Sequence, residues 1–386
     1  MSSIQFHSVF PENTLTEYAE FSQVDFLLTY EQRKLQLNTL RLCFDLEVTP
    51  GTGTLVNVNS NGSLFYDNSV GLNGVVDSIT TSMNGQVIEN LTDYGRLCAM
   101  KTQATKTQNE LASAESSVEG KAAIQAHTNF LLRGVTSGKF VNHGDGTTPN
   151  YADSIVEDPS AALKLGFCLN ESFTLDGSAP LISFRKSGVV KVSLRLARNY
   201  SFLYGADATG ASYKLKNLKM TYVSRADDGT DVQIMSRAKI GIKQSLASDL
   251  ANLSVIVPGR ANAVSASFQP QSLENTATAN NLQLHRIPEL SQIQYLFNDS
   301  TNQFVTFIIK SEIESLERYV DSFNSSGSNS ASLPRLQANE SYGVGTSLGA
   351  YVDLSRQKFN VQISSSIGAT NVIYIAYLYF HALITL

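Results

Sequence analysis

Between Leu40 and Val48 every even position is apolar (Leu40, Leu42, Phe44, Leu46, Val48), while Arg41, Asp45 and Glu47 take odd ones. The beat returns at Val190, Val192, Leu194 and Leu196 and again at Phe359, Val361 and Ile363. A period of two belongs to strands with one buried and one wet face, and here it spans both halves of the chain. Asn84-Gly85 separates apolar runs at 75–83 and 86–91, a pair suited to the positive-φ turn of a tight hairpin. Thr92 or Asp93 then caps a predicted helix with Tyr94, Leu97, Cys98 and Lys101 on one face. Residues 106–160 are polar and read as a long loop with one helix near 122–132. Strands resume at 163–169, 181–184 and 189–196. In 213–222 the apolar phase changes between Leu215 and Leu218, which predicts one extra residue, a bulge, near Lys216-Asn217.

In the second half the pattern predicts a short helix over 237–250 and strands at 264–268, 293–297 and 304–310. The last two flank Asn298-Asp299-Ser300-Thr301 and lead into a helix, 312–323, striped by Ile313, Leu316, Tyr319, Val320 and Phe323. The strand–turn–strand–helix unit of 75–105 therefore recurs at about 290–323. Each half then runs through a Gly/Ser-rich loop into two closing strands, 189–196 with 213–222 and 358–364 with 372–383. Identities between the halves are few, so this is an echo of structure, and it points to a duplicated β-sandwich. The apolar run 372–386 is too short to span a bilayer; its Tyr and Ile content favours a fully buried strand.

Composition changes the picture little. A chain of 386 residues suits two domains, and its 16% charged residues are few, with Asn, Ser, Thr and Gly in their place, as loop-rich β proteins require. The net charge of −5 and the absence of Lys or Arg from the first thirty residues exclude a basic arm for nucleic acid. Cys43, Cys98 and Cys168 stand far apart and are expected to be reduced packing residues. The start, MSSIQFHSVF, lacks the regions of a signal peptide, so synthesis without secretion is expected.

No chemistry competes with the strand pattern. His7, His127, His143, His285 and His381 are scattered without metal-ligand spacing. The glycine run Gly343–Gly349 has the wrong spacing for a nucleotide loop and precedes a strand-like alternation. Glu312, Glu314 and Glu317 read as helix-surface charge, and Asp227-Asp228 as a turn. A hydrolase reading would have to pair Asp145 with Glu157 or Asp158. No catalytic, cofactor-binding or metal residue is assigned, and no enzymatic activity is expected.

The order of elements resembles the double jelly-roll major capsid proteins of tailless icosahedral DNA viruses. The stretches most similar are 70–79, the Asn84-Gly85 turn with 88–94, 187–196 with 213–222, and 343–354 leading to 359–363. The resemblance implies an all-β protein with a few short helices, built as two consecutive eight-stranded jelly rolls. Its implied parts are an N-terminal arm (1–32), a first jelly roll (33–230) with the long loop 106–160, and a connector helix with the second jelly roll (231–386). It also implies a homotrimer, pseudo-hexameric because each subunit carries two sandwiches, that tiles a virion shell assembled inside the host cell. The loops 106–160, 198–212 and 324–350 would form outer towers and inter-subunit contacts. Neighbouring capsomers and minor or penton proteins would be the partners, with the arm reaching beneath neighbours or toward an internal membrane, and with no sequence-specific nucleic-acid binding. The alternatives are a β-sandwich receptor-binding or fibre module, and a two-domain β-sandwich hydrolase.

Overall fold

The alternation at 40–48 becomes the inner face of a strand of 17 residues, Arg33–Thr49, in which Leu40, Leu42, Phe44 and Leu46 are buried while Arg41 is exposed. The computed structural model describes residues 4–30, 32–49, 65–67, 70–105, 163–168, 174–175, 181–205, 208–229, 235–256, 259–285, 291–297, 303–308, 312–325, 343–354, 359–367 and 372–385. In chain order the first half carries β1 (Ile4–Val9), β2 (Glu17–Tyr18), β3 (Gln23–Leu28), β4 (Arg33–Thr49), β5 (Phe65–Tyr66), β6 (Val76–Met83), β7 (Gln86–Leu91), helix α1 (Tyr94–Thr105), β8 (Leu163–Cys168), β9 (Thr174–Leu175), β10 (Leu181–Ser183), β11 (Val190–Leu196), β12 (Leu203–Tyr204) and β13 (Ser212–Ala226). The second half carries β14 (Met235–Leu246), β15 (Leu250–Val255), β16 (Arg260–Pro270), β17 (Gln292–Phe297), β18 (Gln303–Ile308), helix α2 (Glu312–Ser325), β19 (Val344–Asp353), β20 (Phe359–Ser364) and β21 (Tyr374–Thr385).

Each half is a pair of antiparallel sheets with the same strand order. In the first, β1-β13-β4-β10 lies side by side, and so does β3-β11-β6-β7. In the second, the sheets run β14-β21-β16-β19 and β15-β20-β17-β18. Counting the eight principal strands of each half from its own start, both give 1-8-3-6 in one sheet and 2-7-4-5 in the other. That is the jelly-roll order, and it occurs twice. The chain is a double jelly roll.

The local signals explain the details. Asn84 (φ 49°) and Gly85 (φ 75°) form the turn between β6 and β7, with Met83 opposite Gln86. The register of β13 against β4 shifts between Lys216 and Lys219, and Asn217 takes a φ of 51°, so the bulge lies where the phase change puts it. Inward-facing positions on β13 then resume with Leu218, Met220 and Tyr222.

Three expectations need correction. The segment 1–32, read as an arm, lies in the first jelly roll: β1 pairs with β13, β3 pairs with β11, and Val24, Phe26 and Leu28 are fully buried. The helix read at 237–250 is strand β14, paired along its whole length with β21, so among the described residues the second jelly roll opens on a strand where the connector helix was expected. Its Lys, Arg, Ala and Gln favour a helix locally, but twelve ladder pairs with β21 override that preference. The segment 198–212, expected as a tower, instead packs Phe202, Leu203, Ala208 and Ala211 inward and hydrogen-bonds to 277 and 281. The stretches 51–63 and 298–301, the whole of the loop 106–160 with the helix expected at 122–132, and most of the loop 324–350 lie outside the described residues; at the end of the last, Val344–Asp353 is strand.

The two cores share a wall. Along β21, Ala376, Leu378 and Phe380 face the core of the second jelly roll, while Ile375, Tyr377 and Tyr379 join the core that fills the first. Both faces are therefore covered, which is why this strand is largely apolar along its length where β4 and β11 alternate. Helix α1 is similarly enclosed: Tyr94, Leu97, Cys98 and Met100 are buried, and so are Arg96, Thr102 and Thr105, leaving Lys101 and Gln103 partly open. The single face expected from its sequence does not describe it, because α1 lies between the halves. Its close neighbour α2 buries Tyr319 and Phe323, and the Tyr319 hydroxyl donates to the Met100 carbonyl across the junction (2.9 Å).

Candidate functional site

The residues that could have carried chemistry fall into structural roles. His7 stacks on Tyr222 (ring centroids 4.7 Å) and shares a hydrogen bond with Ser224 Oγ at 2.6 Å; burial and nearby Arg33 push its pKa down. His381 is buried, bonded through Nε2 to Ser265 Oγ (3.0 Å) and edge-on to Phe323. His285 pairs as an isolated bridge with Phe268, and burial, then Arg96, lowers its pKa. His127, His143, Asp145, Glu157 and Asp158 lie outside the described residues. Among the described residues no three His, Cys, Asp or Glu side chains are grouped to hold a metal ion.

Asp227 and Asp228 both pair with Lys34, and Ser183 Oγ and the Gly229 N–H donate to Asp227. This is a pinned turn, and the Ser183 hydrogen bond leads the effects that lower the Asp227 pKa. Glu317 is exposed on α2 and Glu314 half-buried. Of the cysteines, Cys98 is buried and Cys43 partly so, both as free thiols.

The glycine run at 343–349 serves close packing. A Cβ on Gly345 would stand 2.6 Å from Ser322 Oγ and 2.9 Å from the Val264 carbonyl, and one on Gly343 would stand 2.7 Å from Tyr319. Small residues here let β19 pass directly beneath α2. Gly345-Thr346-Ser347-Leu348-Gly349 also matches the spacing of a nucleophile elbow, but Ser347 sits within β19 opposite Ala263, where no strand-to-helix turn exposes it.

The charged groups that the fold does bring together were not singled out by spacing, because they come from five separate segments. They line a cleft of about 250 Å³ between the two jelly rolls. Asp77 lies at the start of β6, Asp93 just before and Arg96 within the first turn of α1, Arg195 at the end of β11 and Arg198 just after it, Lys243 on β14, and Glu274 after β16. Arg96 is buried and sews the halves together: its guanidinium lies 4.1 Å over the Tyr377 ring and donates to Gln269 Oε1 (2.5 Å) and to the Asn281 and Gln283 carbonyls. Burial opposes charge on Lys243, but the Glu274 hydrogen bond, with Tyr377 and Asp93 nearby, holds its pKa above the usual lysine value.

The acids behave differently. Burial raises the pKa of Asp77 against the pull of Arg195, Lys243 and Arg198. It raises that of Asp93 to about 6, against Lys243 and Arg96 and helped by Asp77 and Glu274. The Asp93 backbone carbonyl accepts from Tyr379 OH (2.9 Å) and from the Arg96 and Leu97 N–H groups at the start of α1.

A second feature is an exposed apolar edge. β1 borders its sheet, and Ile4, Phe6 and Phe10 are 54%, 84% and 65% exposed. An outer strand edge with large apolar side chains is a template for association.

Strand order, not any one residue, places this chain among known proteins. No protein-family model matches it and no curated sequence does. Its fold is that of viral capsid proteins. The Faustovirus major capsid protein superposes with a TM-score of 0.61 at 10% identity, over 100% of this chain and 90% of that one. A protein of the PBCV-1 virus capsid does so with 0.58 at 9% identity, over 99% and 94%. A chain of the Sputnik virophage structure gives 0.54 at 11% identity, over 99% and 85%. At such identities the likeness is one of fold.

Proposed function

We propose that this chain is a major capsid protein, a structural subunit that forms homotrimeric, pseudo-hexameric capsomers tiling an icosahedral shell. The observation that carries this reading is the repeated strand order: two equivalent jelly rolls in one chain, joined through a shared core. Three such subunits around an axis present six similar sandwiches, which fits a hexagonal tile. The boundary between the units falls near 230/231, with β9 reaching across to pair with β14. Neighbouring capsomers and minor or penton proteins are the partners on this reading, and the virion is the location. The exposed β1 edge, with Phe6 and Phe10, supplies apolar surface for contact between subunits. Light scattering on the size-fractionated protein tests the proposal. A particle of three times 42.0 kDa with a six-lobed outline in negative stain is expected; a stable monomer refutes it and leaves the fibre-module or hydrolase alternatives.

A further inference from the structure

The cleft between the jelly rolls collects hydrogen-bond donors that the protein itself leaves without acceptors. Arg195 and Arg198 stand at its mouth, their guanidinium carbons 5.5 and 5.0 Å from the Phe21 ring centroid. Neither guanidinium makes a hydrogen bond or ion pair with the described residues, although both act on Asp77 through their charge and two cations sharing one ring repel each other. Deeper in, Gln269 is 1% exposed and its Oε1 accepts from both Arg96 and Tyr377 OH. That fixes the amide orientation and leaves Nε2, a donor, without a partner among the described residues. The first turn of α1, through Gly95 and Arg96, also borders the cleft, and a helix start favours negative charge.

We propose that this cleft binds a small tetrahedral oxyanion of the phosphate type, gripped by Arg195 and Arg198 from the first jelly roll and by donors of the second. Forked guanidinium groups match such an anion geometrically. A volume of about 250 Å³ falls below the usual range for drug-sized ligands, about 300–1,000 Å³, and suits a small ion with its waters. The opposing acids do not close the site: Glu274 is occupied by Lys243, and burial already disfavours charge on Asp77 and Asp93. A bound anion touches both halves and so stiffens the angle between them. This role is independent of the shell-building one.

The test is thermal unfolding and calorimetric titration of the whole protein at pH 6 with inorganic phosphate, with sulfate in parallel, against sodium chloride at equal ionic strength. Saturable stabilisation by phosphate and sulfate is expected, with an apparent Kd at least tenfold weaker in an Arg195→Gln/Arg198→Gln variant. Both arginines are surface-exposed, so the variant folds; an Arg198→Gln single variant should fall between it and the parent. No saturable effect, an effect that chloride reproduces, or equal affinity in the variant overturns the proposal.

Discussion

Replacing Asp93 by Asn should make the protein more stable at neutral pH. The carboxyl of Asp93 is desolvated at the start of α1, and its pKa stands at about 6 where the usual value is 3.8. A carboxyl whose pKa is raised by folding adds stability that is fully present below pH 3.8 and is lost as pH rises through about 6. At about 1.4 kcal/mol per pH unit, that interval corresponds to about 3 kcal/mol as an upper bound. Asparagine keeps the shape without the charge and tolerates the left-handed φ of 52° at this position. The bonds from Tyr379, Arg96 and Leu97 go to the backbone carbonyl, which the substitution leaves in place. Attraction between a carboxylate and the helix start works the other way, at roughly 0.3–1 kcal/mol. Desolvation is the larger effect, so Asp93→Asn should gain about 1–3 kcal/mol at pH 8. The assay is urea unfolding at five pH values between 4 and 8, read from midpoints at constant slope. The gain should shrink through pH 6 and vanish by pH 4. A variant less stable than its parent at pH 8, or a difference that does not change with pH, would refute the reasoning.

The junction and the N-terminus give further tests. Tyr319→Phe removes the hydroxyl that bonds the Met100 carbonyl and should cost about 1–2 kcal/mol in the same unfolding assay. Gly345→Ala forces a Cβ against Ser322 and the Val264 carbonyl and should cost about 1–3 kcal/mol, while Gly85→Ala, with open space around it, should cost only the strain of its positive φ. Deleting residues 1–25 removes β1, buried Tyr18 and Val24, and half of β3; circular dichroism should show an unfolded product, and a folded, trimeric one would restore the reading of this segment as an arm.

Sequence pattern revealed an element where one face was buried and the other wet, and failed where that condition lapsed. Leu40–Leu46, the Asn84-Gly85 turn and the slip at Lys216-Asn217 were legible because each carries a local signature. β1 was missed because its large apolar residues, Ile4 and Phe6, point to solvent, so no inward face shows in its sequence. β14 was mistaken because residues chosen for pairing with β21 also suit a helix. β3 carries the alternation at Val24, Phe26 and Leu28, but the neighbouring segments lack pattern, so its strand signal stands isolated in the sequence. The cleft was illegible for another reason: Asp77, Arg96, Arg195 and Lys243 belong to four elements, and only the packing of one jelly roll on the other makes them neighbours.

The placement of β21 has a consequence for how the protein comes to exist. Among the described strands it emerges after all the others, yet Ile375, Tyr377 and Tyr379 complete the first core while Ala376, Leu378 and Phe380 complete the second. Until it arrives, β14 and β16 lack the strand that joins them, and one wall of the N-terminal half stands open. Neither half can therefore finish folding on the ribosome ahead of the other. Nascent chains spend that interval with sticky edges uncovered, which calls for chaperone shelter or slow translation. In return, maturation is all-or-none: a chain truncated before residue 374 lacks a complete unit of either kind.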